Sequence, residues 1–384
     1  MQFQFSTAQK IIFGPGSAKA IPDHVSEMGK KVCLVTGHNP DRLQWLQDSL
    51  SARGVYRTVI PVSGEPETGF ISECATKARA EGCDMVVAVG GGSVLDAGKA
   101  IAALLPNKRD VLDYLEVVGK GLPLENRPAP LIAAPTTAGT GSEVTANAVL
   151  LSPEHGVKIS MRSMYMIPDL AIVDPELTLS MPPEVTAATG LDALTQLMES
   201  FVSRFASPMT SPLCREGMYH AADALGTAYK HGNNIEARSS MSLAGLLSGA
   251  ALANAGLGAV HGFAAPLGGQ LRAAHGAICA ALLPQVMEIN IRALRERDKN
   301  NPAINAYTET ARILTCIKSA APEDGVEWVR NLCSNLKIPG LAAIGLKEND
   351  FPDLAAKASR ASSMKGNPIT LTETELIEIL QKSL

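Results

Sequence analysis

At 384 residues the chain exceeds the usual size of one domain, so two are expected, and a hydrophobic content of 46% supplies sizeable cores and argues against disorder. A net charge of −4, with acids and bases interspersed and no basic run, gives nucleic acid no electrostatic footprint. No apolar stretch reads as a membrane span, the start "MQFQFSTAQK" lacks a signal peptide's apolar core, and seven scattered cysteines without paired spacing exclude a zinc ribbon, so a cytoplasmic protein with reduced thiols is expected.

In chain order, "KVCLVTG" (31–37), "DMVVAVGGG" (84–92) and "PLIAAPTTAGTG" (130–141) are predicted strands that end in glycine or threonine turns. Between them, "PDRLQWLQDSLSARG" (40–54) and "TGFISECATKARAEG" (68–82) place apolar residues at helical spacing. This βαβ rhythm implies a mainly parallel sheet covered by helices. From "PPEVTAATGLDALTQLMESFVS" (182–203) onward the pattern is helical, with almost no strand signal. The expected architecture is an α/β domain over residues 1–183 and an all-α domain over 184–384, with the boundary near "DPELTLSMPPE" (174–184).

Chemistry concentrates in a few stretches. "VVAVGGGSVLDAGKAIAAL" (86–104) joins a buried strand to a helix through three glycines. Such a turn lets a phosphate approach the backbone at a helix N-terminus, with Ser93 adding a hydroxyl. A tight turn capped by Ser93 explains the same residues, and the stretch is not the G-x-G-x-x-G fingerprint. "APTTAGTGSEVT" (134–145) gathers Thr136, Thr137, Thr140 and Ser142 at the end of the next strand, and open α/β sheets bind ligands beyond the carboxyl ends of their strands. In "GLDALTQLMES" (190–200), Asp192 and Gln196 are four residues apart and share a helix face. With His261 and His275 they supply one carboxylate, one amide oxygen and two imidazoles, a mixture that suits iron, zinc, manganese or nickel. Taken singly, each of these residues is ordinary.

Together with "FGPG" (13–16), "GEP" (64–66), "GGGSVLDAGKA" (90–100), "PTTAGTGSEVT" (135–145), "PDLAIVDPELTLSMP" (168–182), "GLDALTQLMES" (190–200), "NAGLGAVHGFAAPLGG" (254–269) and "HGAICAALLP" (275–284), the chain resembles the iron-containing (group III) alcohol dehydrogenase family. The resemblance implies a dinucleotide-binding α/β domain, a helical metal-binding domain and an active-site cleft between them. It places a cofactor pyrophosphate at Gly91, Gly92 and Ser93, further cofactor contacts at Thr136, Thr137 and Thr140, and others at Lys158 and Leu177. It also implies metal ligation by Asp192, His261 and His275, a small alcohol or aldehyde as substrate, NAD or NADP as hydride carrier, and a homodimer or higher oligomer.

Three departures bear on the chemistry. The family's metal ligands are an aspartate and three histidines, and here the fourth position is Gln196, whose neutral amide oxygen can also coordinate. The family's "HxxxHPLG" pattern carries a second histidine where this chain has Ala265, which removes a candidate proton carrier. The family commonly has an aspartate after the first nucleotide-binding strand, and here the position is Gly37, followed by His38, Asn39 and Arg42, residues suited to the 2′-phosphate of NADP. The first two leave a metal-independent reductase of the maleylacetate reductase type as the alternative. A lyase of the dehydroquinate synthase type is disfavoured, because the motif segments lack the basic residues its pocket needs.

Overall fold

Short runs of valine, leucine and alanine build the sheet of the first part of the chain. The computed structural model describes residues 2–271 and 273–384, and they fall into two compact units. The first unit holds Thr7–Thr137 and Gly141–Leu179. Among its described residues six strands form one sheet: β1 (Lys10–Phe13), β2 (Lys31–Gly37), β3 (Tyr56–Val62), β4 (Met85–Gly90), β5 (Leu131–Pro135) and, after a separate antiparallel hairpin of β6 (Asn147–Ser152) and β7 (Val157–Arg162), β8 (Leu170–Val173). The order across the sheet is β1-β8-β5-β4-β2-β3, and every pairing is parallel.

Parallel strands covered on both faces must be apolar throughout, and β4 and β5 are buried at every residue. Alternation then sorts side chains between two cores. Val32, Leu34, Val87 and Val89 face α1 (Ile21–Met28) and α2 (Gln44–Ala52) through Ile21, Val25, Leu46 and Leu50. Cys33, Val35, Val86 and Ala88 face α3 (Thr68–Ala80) and α4 (Gly92–Leu104) through Ile71, Ala75, Leu95 and Ile101. The closeness of α4 depends on Gly98, where an added Cβ would lie 2.5 Å from the Cβ of Ala88. A short α5 (Val111–Tyr114) follows.

The chain leaves β2 outward, through α2 to β3, and leaves β4 in the opposite direction, through α4 to β5. The two paths part between β2 and β4. That is the switch point at which doubly wound sheets leave a crevice past the strand ends.

The second unit holds Ser180–Leu384, with Ala138–Thr140 and the N-terminal residues through Ser6. Its described residues form helices without a strand: α6 (Pro183–Val202), α7 (Thr210–Lys230), α8 (Ile235–Ala255), α9 (Ala259–Gln270), α10 (His275–Arg297), α11 (Ala303–Thr315), α12 (Pro322–Asn335), α13 (Phe351–Arg360) and α14 (Glu373–Lys382). One core runs through them. Although no spanning stretch is expected from the sequence, α10 is long and apolar enough to cross a membrane. Most of that apolar stretch is buried inside the unit, as in the core helix of a globular fold.

Candidate functional site

Helix α6 is buried from Ala187 to Val202 on nearly every side, apart from Thr189, so its polar residues need partners inside the protein. Thr195 donates its hydroxyl to the carbonyl of Leu191 and Ser200 donates to the carbonyl of Gly256. Asp192, 3% exposed, differs, because its Oδ1 has no hydrogen-bond partner. That oxygen faces His261 Nε2 at 3.4 Å and His275 Nε2 at 3.8 Å. An orphaned buried carboxylate oxygen beside two imidazoles is a ready place for a divalent cation.

Each histidine is held in place from outside this group. His261 lies in the first turn of α9, and Glu199, seven residues after Asp192 on α6, reaches that turn. One Glu199 oxygen accepts the backbone N–H of Val260 at 2.6 Å, and the other lies 2.6 Å from His261 Nδ1. The carboxylate therefore answers the helix N-terminus and accepts from Nδ1–H, which orients the ring with Nε2 toward Asp192. His275 opens α10, where Gly276 allows contact with α6: a Cβ there would lie 2.0 Å from the carbonyl oxygen of Ala188. With its side chain 39% exposed, His275 forms the open edge of the group.

A fourth donor sits one turn further along α10. Cys279 Sγ lies 3.6 Å from His275 Nε2 and 3.9 Å from His261 Nε2, and donor atoms of Asp192, His261, His275 and Cys279 all fall within 4.8 Å of one another. Burial opposes ionisation of Asp192, but the neighbouring His261 and His275 hold its carboxyl below the ordinary range. Burial also opposes the charged form of His261, yet Cys279, Asp192 and Glu199 lift it well above the usual imidazole value. The charge of Cys279 raises His275, and the two imidazoles bring the Cys279 thiol down despite its burial.

Gln196 is placed differently from the sequence expectation. Its Oε1 accepts the Ser248 hydroxyl at 2.8 Å, and the residue also helps hold the Asp192 carboxyl below the ordinary range. The hydroxyl donor at its oxygen fixes this orientation of the amide. Ala265, where the family pattern has a histidine, is exposed one turn after His261. Glu199 and Cys279 were absent from the sequence-based set. Their signals are helical spacings, seven residues from Asp192 and four from His275, the same argument that groups Asp192 with Gln196.

In the sheet unit, the glycine turn and the threonine loop leave adjacent strands. Gly90 is in register with Pro135, Thr136 donates its N–H to the carbonyl of Gly90 at 2.9 Å, and a Cβ on Gly91 would lie 3.3 Å from Thr137 Cγ2. Gly91 is the N-cap of α4, and no side chain, that of Ser93 included, caps the end; no acidic residue occupies the first turn. The N-terminal amides of α4, beginning at Gly92 and Ser93, thus form an uncapped positive helix end. Gly37 ends β2, where Thr36 is in register with Val89, on the other side of β4. Leu177 lies on a turn after β8, half-buried against the α1 and α2 core. Lys158 is on β7, paired with Glu65 at 2.8 Å. Thr140 belongs to the helical unit.

Comparison with known proteins agrees with both units. Residues 8–175 match the family described as iron-containing alcohol dehydrogenase, and residues 186–384 match the C-terminal part of the Fe-containing alcohol dehydrogenase family. Choline dehydrogenase of Bacillus subtilis is 34% identical over 375 residues, 96% of this chain and 92% of its own length. The crystal structure of a 1,3-propanediol oxidoreductase superposes with a TM-score of 0.93 at 31% identity, covering 100% of both chains. A sulfoacetaldehyde reductase from Bifidobacterium kashiwanohense, in complex with NAD+, superposes with a TM-score of 0.88 at 29% identity, over 100% of this chain and 99% of that one. The chain belongs to the iron-containing alcohol dehydrogenase family. Within it, the protein is an oxidoreductase of the class that interconverts alcohols and aldehydes.

Proposed function

We propose that the protein is a metal-assisted alcohol dehydrogenase or aldehyde reductase that passes hydride between a small substrate and NAD or NADP. The observation that carries the metal part is the unpartnered Asp192 Oδ1 facing His261 and His275, a donor set that fits a divalent first-row ion such as iron. When bound, that ion supplies Lewis-acid polarisation of the substrate oxygen. Glu199 holds the His261 tautomer, and half-exposed His275 leaves the group open to a ligand. The maleylacetate reductase alternative has no use for such an acceptor.

Support for the nicotinamide comes from the uncapped end of α4 and from the relative solved with NAD+. In this reading Gly91, Gly92 and Ser93 meet the pyrophosphate, Thr136, Thr137 and Thr140 line the cofactor, Gly37 meets the adenosine ribose, and Lys158 and Leu177 lie further out. With Ala265 in place of a histidine, the substrate proton leaves through water or a cofactor hydroxyl. A homodimer or higher homo-oligomer in the cytoplasm is the working state in this reading, on the strength of the family resemblance.

His261→Ala tests this. We expect metal content to fall from about one ion per chain to near zero and kcat/KM to drop by about a thousandfold or more, roughly 4 kcal/mol, on a screen of alcohols and aldehydes with both cofactors. Full activity in a chelated wild-type sample shown to be free of metal overturns the metal part.

A further inference from the structure

Granted the metal reading above, the sulfur of Cys279 lies with the donor atoms of the three expected ligands, while the amide oxygen of Gln196 is engaged by Ser248. We infer that Cys279 is the fourth metal donor, giving an Asp–His–His–Cys set in place of the family's Asp–His–His–His.

Distances carry the argument. A tetrahedral ion with bonds of about 2.0–2.1 Å to nitrogen or oxygen and about 2.3 Å to sulfur holds N/O pairs about 3.4 Å apart and N/S pairs about 3.6 Å apart. The protein holds His261 Nε2 and Asp192 Oδ1 at 3.4 Å, His275 Nε2 and Asp192 Oδ1 at 3.8 Å, and Cys279 Sγ at 3.6 and 3.9 Å from the two imidazoles. Four of the six edges of one coordination tetrahedron are thus approached to within about 0.4 Å, and the other two lie within 4.8 Å. Cys279 is fully buried, and its sulfur lies within 4.8 Å of donor atoms of all three other members of the set.

Gln196 has another task. Its amide oxygen accepts the Ser248 hydroxyl, so coordinating an ion through oxygen would require that oxygen to turn away from Ser248. It acts as a positioning residue for Asp192. The histidine missing from α6 is thus replaced from α10, by the residue one turn after His275.

The replacement changes the chemistry of the site. A thiol loses its proton to solvent on binding, so the set carries two negative charges, from Asp192 and Cys279, where the family's carries one. Thiolate is a softer donor than imidazole and favours zinc over manganese or magnesium.

Cobalt(II) reports the donor directly. The protein stripped of metal and titrated with one equivalent of Co2+ is expected to show a sulfur-to-cobalt charge-transfer band in the near ultraviolet. Cys279→Ser is expected to bind Co2+ about tenfold or more weakly and to lose the band, whereas Gln196→Leu keeps it. Stoichiometric Co2+ binding to the wild type without the band overturns the inference and leaves the metal reading standing, as does a band that survives in Cys279→Ser. No stoichiometric Co2+ binding in the wild type overturns both. The wild-type spectrum decides even if a variant fails to fold.

Discussion

Two buried charged groups in this protein differ in how they are completed. In the sheet unit, Lys99 is 1% exposed, lies 3.1 Å from Asp96 and donates to the Thr145 hydroxyl at 3.0 Å. Asp96 in turn accepts from the Ser142 hydroxyl and from the backbone N–H of Val149. None of these side chains has an atom left without a partner. In the helical unit, Asp192 keeps an unanswered oxygen amid two imidazoles and a thiol. A closed network ties α4 to the loop that follows β5 and to β6. The other, open at the half-exposed His275, leaves one buried carboxylate oxygen without a hydrogen bond. Four hydroxyls elsewhere also lack a partner, but Asp192 is the one carboxylate among the described residues with such an orphaned oxygen.

The comparison breaks most visibly at Lys99. Lys99→Ala leaves Asp96 charged and without its cation, and we expect a loss of about 3–5 kcal/mol in unfolding free energy, with Lys99→Met milder because its stem still fills the space. Metal content of the folded protein should stay at its wild-type level, the reverse of His261→Ala. Urea titration with metal analysis of the same samples checks both. A variant that keeps its stability but loses its metal contradicts the division into scaffold and site.

A smaller effect lies next door. Glu143, 3% exposed, has its carboxyl raised from the ordinary 4.5 to about 7 by burial, which outweighs a backbone hydrogen bond and the charge of Lys99. Between about pH 4.5 and 7 the unfolded chain has lost this proton while the folded protein keeps it. The folded state therefore binds more protons in this window, and its stability falls as pH rises through it, by on the order of 3 kcal/mol in all. Glu143→Gln should flatten that slope. Denaturation midpoints measured from pH 4.5 to 7.5 will show it, and equal slopes in the two proteins would mean that Glu143 ionises freely.

Much of this was legible in the sequence, because a strand buried on both faces has a plain signature. The predicted strand at 31–37 is β2 residue for residue, and the runs at 84–92 and 130–141 contain β4 and β5. Burial alone does not make a strand legible: β8 is buried at every residue and stays unread because it is only four residues long. β1 is a four-residue edge strand, and β3 lies at the other edge and carries Pro61, which sheet interiors exclude. Asp192, His261 and His275 could be paired only through the family resemblance, because α6, α9 and α10 bring together residues up to 83 positions apart. Cys279 was passed over because cysteines were sought in pairs, whereas its partner is a histidine one helical turn away.

Gly37 sharpens the comparison from a third side, since it offers a ligand no side chain at all. It ends β2 at the switch point of the sheet, and an added Cβ meets nothing within 4 Å. An aspartate fits there without strain, because the backbone of Gly37 lies outside the left-handed region. A carboxylate at this strand end would accept the adenosine ribose hydroxyls of NAD and repel the 2′-phosphate of NADP. The native chain has no such barrier, and exposed His38 and Arg42 follow at once; the Asn39 side chain is engaged with the N–H of Asp41. We therefore expect NADP(H) to be accepted at least as well as NAD(H). Gly37→Asp should lower kcat/KM for NADP(H) by about tenfold, roughly 1.4 kcal/mol, and leave NAD(H) within about twofold. Steady-state rates with both cofactors measure this. A wild-type preference for NAD(H) of about a hundredfold or more, some 2.7 kcal/mol, would place the choice of cofactor at other residues than Gly37.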